Sequence, residues 1–191
     1  MAGRIHFIIV FRSKRDAERV LDVLPKRFGK YGLTLHPTKT QLVRFERPPH
    51  RGKPRPQDRP GSFYLLGFTH YWGRSRKGYW VVKRKTEKSR LKRAIRRIYL
   101  WCKRNRHMEI KLQHKKLCEK LRGHDAYYGI TGNARALELF RRGVSRAWKT
   151  WLCRRSRAAR KKTWKWFQRL QARYSLPGLK VVHSIYRTAK P

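Results

Sequence analysis

Chemistry that needs acidic residues has little to work with in this chain. It carries 52 Lys+Arg but only 10 Asp+Glu, and the acids are scattered, with none after Glu138. Two-metal phosphoryl transfer needs clustered carboxylates, and no such cluster occurs. Asp16, Glu18 and Asp22 share one helix-like stretch, where they read as capping and solvent-face residues. Spacing gives no P-loop, no G-x-S-x-G elbow and no nucleophile–base pair, and His124-Asp125 stands by itself. Cys102, His107, His114 and Cys118 could in principle hold zinc. Their spacings match no common knuckle, however, and both cysteines fall on or beside apolar stripes. The reading is therefore no catalytic residues, no metal site and no cofactor.

What the sequence does supply is cations interleaved with rings. The formal charge is +42, and 7 Trp, 9 Tyr and 8 Phe are spread among the Lys and Arg. A surface of this charge binds nucleic acid by releasing condensed counterions, and exposed rings can stack on unpaired bases. Two basic blocks stand out. In 83–106 the only acid is Glu87, and 141–173 has none. The phosphate-binding candidates are Lys83, Arg84, Lys85, Arg93, Arg97, Arg122, Lys149, Arg154 and Arg155, with Tyr127 or Tyr128 and Trp148 for stacking. A basic amphipathic helix also suits a membrane surface, but here the excess runs through the whole chain. Most of the rings should be core, because helix-spaced aromatics pack inward. In the pairs Tyr127/Tyr128 and Trp164/Trp166 the two rings cannot both point one way, so one of each is a surface candidate.

The elements that position these residues follow from the periodicity. IHFIIVF at 5–11 predicts a buried strand. Ser13 and Asp16 predict a helix start, and Ala17, Val20, Leu21, Leu24 and Phe28 mark its apolar face up to Gly29, with a bend at Pro25. Residues 33–35 and 41–45 read as short strands around the His36-Pro37 turn. Pro48, Pro49, Pro54, Pro56 and Pro60 crowd a loop or linker. Residues 63–72 and 79–82 predict a hairpin with the basic tip GRSRKG. From Thr86 the period turns helical: Leu91, Ile95, Ile98 and Cys102 share a face, then Leu117, Leu121, His124 and Tyr128. Asn133 is a candidate N-cap for a helix carrying Leu137, Phe140, Val144, Ala147 and Trp151. A last helix is expected from near Thr163, ended by Pro177 and Gly178. The fold class is α+β, a small strand–helix–strand piece with a β-hairpin followed by a basic helical domain.

Cys102, Cys118 and Cys153 form no C-x-x-C pair and leave an odd count, which fits a reducing, cytoplasmic setting. No apolar run approaches the roughly 18 residues of a membrane span. The N-terminal apolar run lacks a signal-peptide cleavage pattern. An organellar transit peptide is the alternative for the basic, acid-free first fifteen residues.

Three stretches, GLTLHPTKTQLVRF, LLGFTHYW and LRGHDAYYGITGN, resemble in that order the C-terminal half of group II intron-encoded reverse transcriptase–maturases. By that resemblance residues 1–47 are the end of a palm, 48–62 a Pro-rich loop and 63–84 a primer-grip-like hairpin with Leu66, Gly67 and Phe68 at its turn. Residues 85–175 are similar to the maturase-specific X or thumb domain, whose Leu-Arg-Gly…Tyr-Tyr signature matches Leu121, Arg122, Gly123, Tyr127 and Tyr128, and 176–191 is a tail. Gly3, Arg4, Ile5 and His6 stand where the family carries Tyr-Ala-Asp-Asp, so the resemblance implies no polymerase aspartates, and the fingers would lie upstream of residue 1. No counterpart of the nuclease domain of some family members is seen. The implied function is binding of structured group II intron RNA to assist its splicing, with a DNA/RNA primer–template duplex as a further candidate partner. Two alternatives remain: half of a split RNA-directed DNA polymerase completed by an upstream chain, or a decayed remnant. The chain by itself is expected not to be an enzyme.

Overall fold

A computed structural model describes residues 7–37, 40–49 and 60–184. The expected α+β class is what it shows, with an antiparallel sheet of three strands followed by helices. The elements are α1 (Lys14–Gly29), β1 (Phe63–Leu65), β2 (Phe68–Arg74), β3 (Trp80–Thr86), α2 (Lys88–Arg104), α3 (Ile110–Tyr128), α4 (Ala134–Leu152) and α5 (Trp164–Arg173), with a 3-10 turn at Ala158–Lys161. By contacts the chain divides into two units. One comprises Met1–Leu66 with His70–Lys83, the other Gly67–Thr69 with Arg84–Pro191.

In the first unit α1 begins after Ser13 and ends at Gly29 as the apolar spacing required, and it runs through Pro25; Ser13 stands at the N-cap position but its side chain makes no cap hydrogen bond. Its buried side chain is Ala17. The three strands expected around it do not form. Residues 7–11, 33–35 and 41–45 belong to no strand, while Ile5 and His6 lie outside the described residues. A strand persists only where a neighbour takes up its backbone groups. Here the apolar side chains find side-chain partners instead. Phe7 rests on Phe28 with ring centroids 5.5 Å apart, and Phe45 stacks on Trp72 and meets Phe63 edge-on. Val10 remains 88% exposed.

The hairpin with the basic tip does form. Ser75 N–H donates to Tyr79 O (2.8 Å), Gly78 N–H to Ser75 O (3.1 Å), and the Arg74 guanidinium lies 4.8 Å from the Trp80 ring centroid. The stretch 63–72 is not one strand, however. Leu66 (φ 49°) and Gly67 (φ 78°) both take the left-handed region and reverse the chain between β1 and β2. Two consecutive positive φ values make the tight turn whose twist matches flanking strands. Glycine adopts it freely, whereas leucine does not.

The second unit is a helical bundle around α4. Ile98 and Cys102 from α2, Leu117 and Leu121 from α3, and Phe140, Val144, Ala147 and Trp148 from α4 form one buried cluster, closed by Phe167 of α5. Gly143 lets α2 approach α4, since a Cβ there would stand 2.9 Å from Ile95 Cγ1. Thr163 caps α5 by accepting from Trp166 N–H (3.4 Å).

Asn133 does stand at the N-cap position of α4, but its side chain makes no cap hydrogen bond. It is 1% exposed. Its Oδ1 accepts from Thr86 N–H (2.8 Å), and its Nδ2 donates to Thr86 Oγ1 (2.7 Å) and Tyr128 O (2.8 Å). One buried amide thus joins the end of β3, the end of α3 and the start of α4. The stretch expected as a tail is also tied down. Val182 and His183 N–H donate to Gly129 O, Thr131 N–H donates to His183 O, and a His183 ring nitrogen lies 2.7 Å from Ala126 O. Arg141 anchors the same segment through Pro177 O (3.2 Å) and Gly178 O (2.9 Å) while pairing with buried Asp125.

Asn133→Ala takes away the partner of both Thr86 groups, while Tyr128 O keeps Ile130 N–H, and should lower unfolding free energy by roughly 2 to 3 kcal/mol in urea titrations. Asn133→Ser discriminates between the two roles. A simple cap would be conserved by serine, whereas the observed tie is beyond a serine side chain's reach, so serine should cost nearly as much as alanine.

Candidate nucleic-acid interface

Residues 90, 93 and 97 fall at helical spacing on α2, which puts their side chains on one face of a helix whose other face is held by Ile98 and Cys102. Lys120 and His124 are one turn apart on α3, with Tyr128 one turn further. These two rows face each other across a groove of about 380 Å³ lined by Arg90, Arg93, Arg97, Lys120, His124 and Tyr128. Phe140 of α4 also lines it. All of these residues lie in the second unit.

The cations are weakly compensated. Arg90 Nε stands 3.8 Å from Glu87 Oε2, and Arg93 donates to Ser89 O and Oγ at 3.4 Å each. The Lys120 ammonium lies 5.3 Å from the centroid of the Trp101 ring. No acid pairs with Arg97 among the described residues. Exposed pairs of the Arg90–Glu87 kind contribute well under ~1 kcal/mol, so the groove keeps nearly all its positive potential.

Rings supply its remaining surface. His124 lies nearly parallel to Phe140, 3.8 Å between centroids and 15° between planes, and 4.7 Å from Tyr128. Both imidazole nitrogens are buried without a hydrogen-bond partner. Burial pushes the His124 pKa from 6.5 down to about 4, against the attraction of Asp125 and with the help of Arg141. The ring is therefore neutral at pH 7. Burial likewise raises the Tyr128 hydroxyl pKa, opposed by Arg90 and Arg93.

Of the residues the sequence singled out, Arg93, Arg97 and Tyr128 meet in this groove. Arg90, Lys120 and His124 join them, and only the i, i+3, i+7 and i, i+4 spacings could have indicated it. Arg122 is exposed but sits two positions from Lys120, and so on another side of α3. Arg84 and Lys85 are exposed at the start of the second unit, and Lys83 belongs to the first, its stem lying against Gly73. Tyr127 is 52% exposed and Tyr128 half-buried, as their adjacency required. Both touch Phe68, which is buried beside the Leu66-Gly67 turn.

The second basic block is organised differently, and its candidate Lys149 lies ~13 Å along α4 from Phe140 at 1.5 Å per residue. Trp148 is not a stacking platform. It is 1% exposed, donates to Gln113 Oε1 (2.8 Å) and meets Phe167 edge-on. Its place on the stripe with Val144 and Trp151 put it inside, and its one polar atom found a buried partner. Arg155 is also turned inward, donating to Met108 O, and burial lowers its pKa. Lys149 lies over the Trp164 ring (5.0 Å) and Arg154 over that of Trp151 (5.0 Å). Ring faces that looked available to bases are partly covered by the chain's own cations.

Cys118 Sγ is 3.3 Å from a His114 ring nitrogen, but no group of three potential metal ligands exists among the described residues. Cys102 is buried, and desolvation pushes its pKa up to about 12. No helix among the described residues is long and apolar enough to cross a membrane.

Comparison with the models of known protein families, with curated proteins and with solved structures gives no match.

The buried neutral imidazole has a consequence for stability. Its folded pKa lies below its unfolded one, so between pH 6.5 and 4 the unfolded chain binds more protons and stability falls with falling pH. His124→Phe, which keeps the stack on Phe140, should raise the melting temperature at pH 5 more than at pH 7.5. Equal shifts at both pH values would mean the imidazole is not desolvated.

Proposed function

We propose that this chain is an RNA-binding protein of the maturase type, whose helical unit grips structured intron RNA and so favours the splicing-competent fold of that RNA. The observation that carries the reading is the groove between α2 and α3, where Arg90, Arg93, Arg97 and Lys120 converge and, among the described residues, Glu87 is the one acid paired with them. Guanidinium forks suit phosphate oxygens, and a groove of one sign of charge concentrates a polyanion at its mouth. The resemblance of Leu121-Arg122-Gly123 and Tyr127-Tyr128 to the maturase signature supports the choice of intron RNA over RNA in general. In this reading the RNA performs the chemistry and the protein contributes no catalytic group.

A second reading is favoured by a separate observation. Phe7, Ile8, Ile9 and Val10 are exposed and joined to no strand, an arrangement suited to pairing with a strand of another chain. The chain would then be one half of a two-chain reverse transcriptase, and primer extension would appear only when both halves are mixed.

Binding to a group II intron RNA and to an unrelated RNA of equal length, measured at two salt concentrations, tests the first reading. A steep loss of affinity with salt and a preference for the intron are expected. Arg93→Gln with Arg97→Gln should reduce the log–log salt slope by about 1.5 to 2 and weaken all RNAs alike. Equal affinity for both RNAs would leave only a generic polycation.

A further inference from the structure

The groove is not built as a phosphate clamp alone. A clamp for duplex backbone needs cations and little else, because an A-form helix presents phosphates and 2′-hydroxyls while its bases stay stacked inside. Here the cations of α2 and Lys120 flank a surface of flat rings, His124 stacked on Phe140 and packed against Tyr128. The volume, about 380 Å³, is at the lower end for small-molecule sites, the scale of one nucleotide and too small for a helix.

We infer that the groove between α2 and α3 is a site for a single unpaired nucleotide, with its phosphate on Arg93 and Arg97 and its base against the Tyr128–His124 rings. The inference rests on the RNA-binding reading above and narrows it to single-stranded segments such as loops and bulges. Arg90 and Lys120 then hold the flanking phosphates. Residues 90 and 97 are ~10 Å apart along the axis at 1.5 Å per residue, enough for the backbone to enter past one and leave past the other.

The test uses the full chain and three fluorescent ligands of equal charge per strand. These are a ten-nucleotide single-stranded RNA, the same ribose–phosphate chain without bases, and the blunt duplex of the same sequence. The single strand should bind about tenfold or more tighter than the abasic chain, since stacking of one base accounts for that much, and tighter than the duplex at matched salt. Arg97→Gln should weaken single-stranded and abasic chains by the same factor. Tyr128→Ala should leave abasic binding nearly unchanged and remove most of the single strand's margin over it. A 4-thiouridine in the strand should crosslink to His124 or Tyr128. Equal binding of single-stranded and abasic chains, or crosslinks only at other rings such as Tyr64 or Trp164, would overturn the nucleotide site while leaving the RNA-binding reading in place. Failure of all three ligands to bind at low salt would overturn both.

Discussion

The helical unit must carry 33 of the chain's 52 cations, those of residues 84–191, around one modest apolar cluster, and most of its features follow from how that is done. Two unit charges 10 Å apart in water repel by roughly 0.4 kcal/mol before screening, so every cation held near another needs some compensation. With 10 acids in the chain, the compensation comes largely from elsewhere. Lys149, Lys162, Arg154 and Lys120 lie over indole rings, and Arg155 and Arg141 donate to backbone carbonyls. Each such cation–ring contact is worth about 0.5–1 kcal/mol at an exposed site. In the groove of α2 and α3 the compensation is thin, one weak pair with Glu87 and none with an acid for Arg97 among the described residues, which leaves room for an external polyanion.

Periodicity carried the helices almost entirely. The start at Ser13, the stripe from Leu91 to Cys102 and the cap at Thr163 lie where the pattern put them, because these helices gain their stability from one apolar face on one core. The strands failed for the complementary reason. A β-prone run such as residues 7–11 specifies a conformation only together with a partner edge, and sequence alone says nothing of whether that edge is present. Leu66-Gly67 was read as a turn through resemblance, while propensity by itself ran a strand across it, since leucine carries no signal for a positive φ.

The candidate site was half legible. Arg93, Arg97 and Tyr128 could be chosen from charge and ring chemistry, but their convergence with Lys120 depends on how α2 and α3 cross, which spacing does not encode. Trp148 shows the opposite limit. Its ring was attractive as a platform, yet a tryptophan on the stripe of a core helix has only one polar atom to satisfy, and Gln113 satisfies it. A glutamine one turn before Leu117 and two before Leu121, on the same apolar face, was the overlooked signal.

The groove's precision depends on residues that do not line it. Its two walls end at opposite sides of the Asn133 amide, which holds Thr86 just before α2 and Tyr128 O at the end of α3. On α3, Asp125 follows directly after His124 and pairs with Arg141 of α4, which in turn holds Pro177 and Gly178. Breaking a buried pair by removing one member leaves an uncompensated charge at a cost of several kcal/mol. The Asp125–Arg141 pair therefore fixes the rotation of α3 that points His124 at Phe140. The returning segment at Val182 and His183 completes the same frame by taking up Gly129 O and the backbone beyond it. A polycation with mobile helices would bind any polyanion. By locking α2, α3 and α4 at one junction, this chain gives its uncompensated charge a fixed shape, and under the proposed function that shape is what would tell one RNA from another.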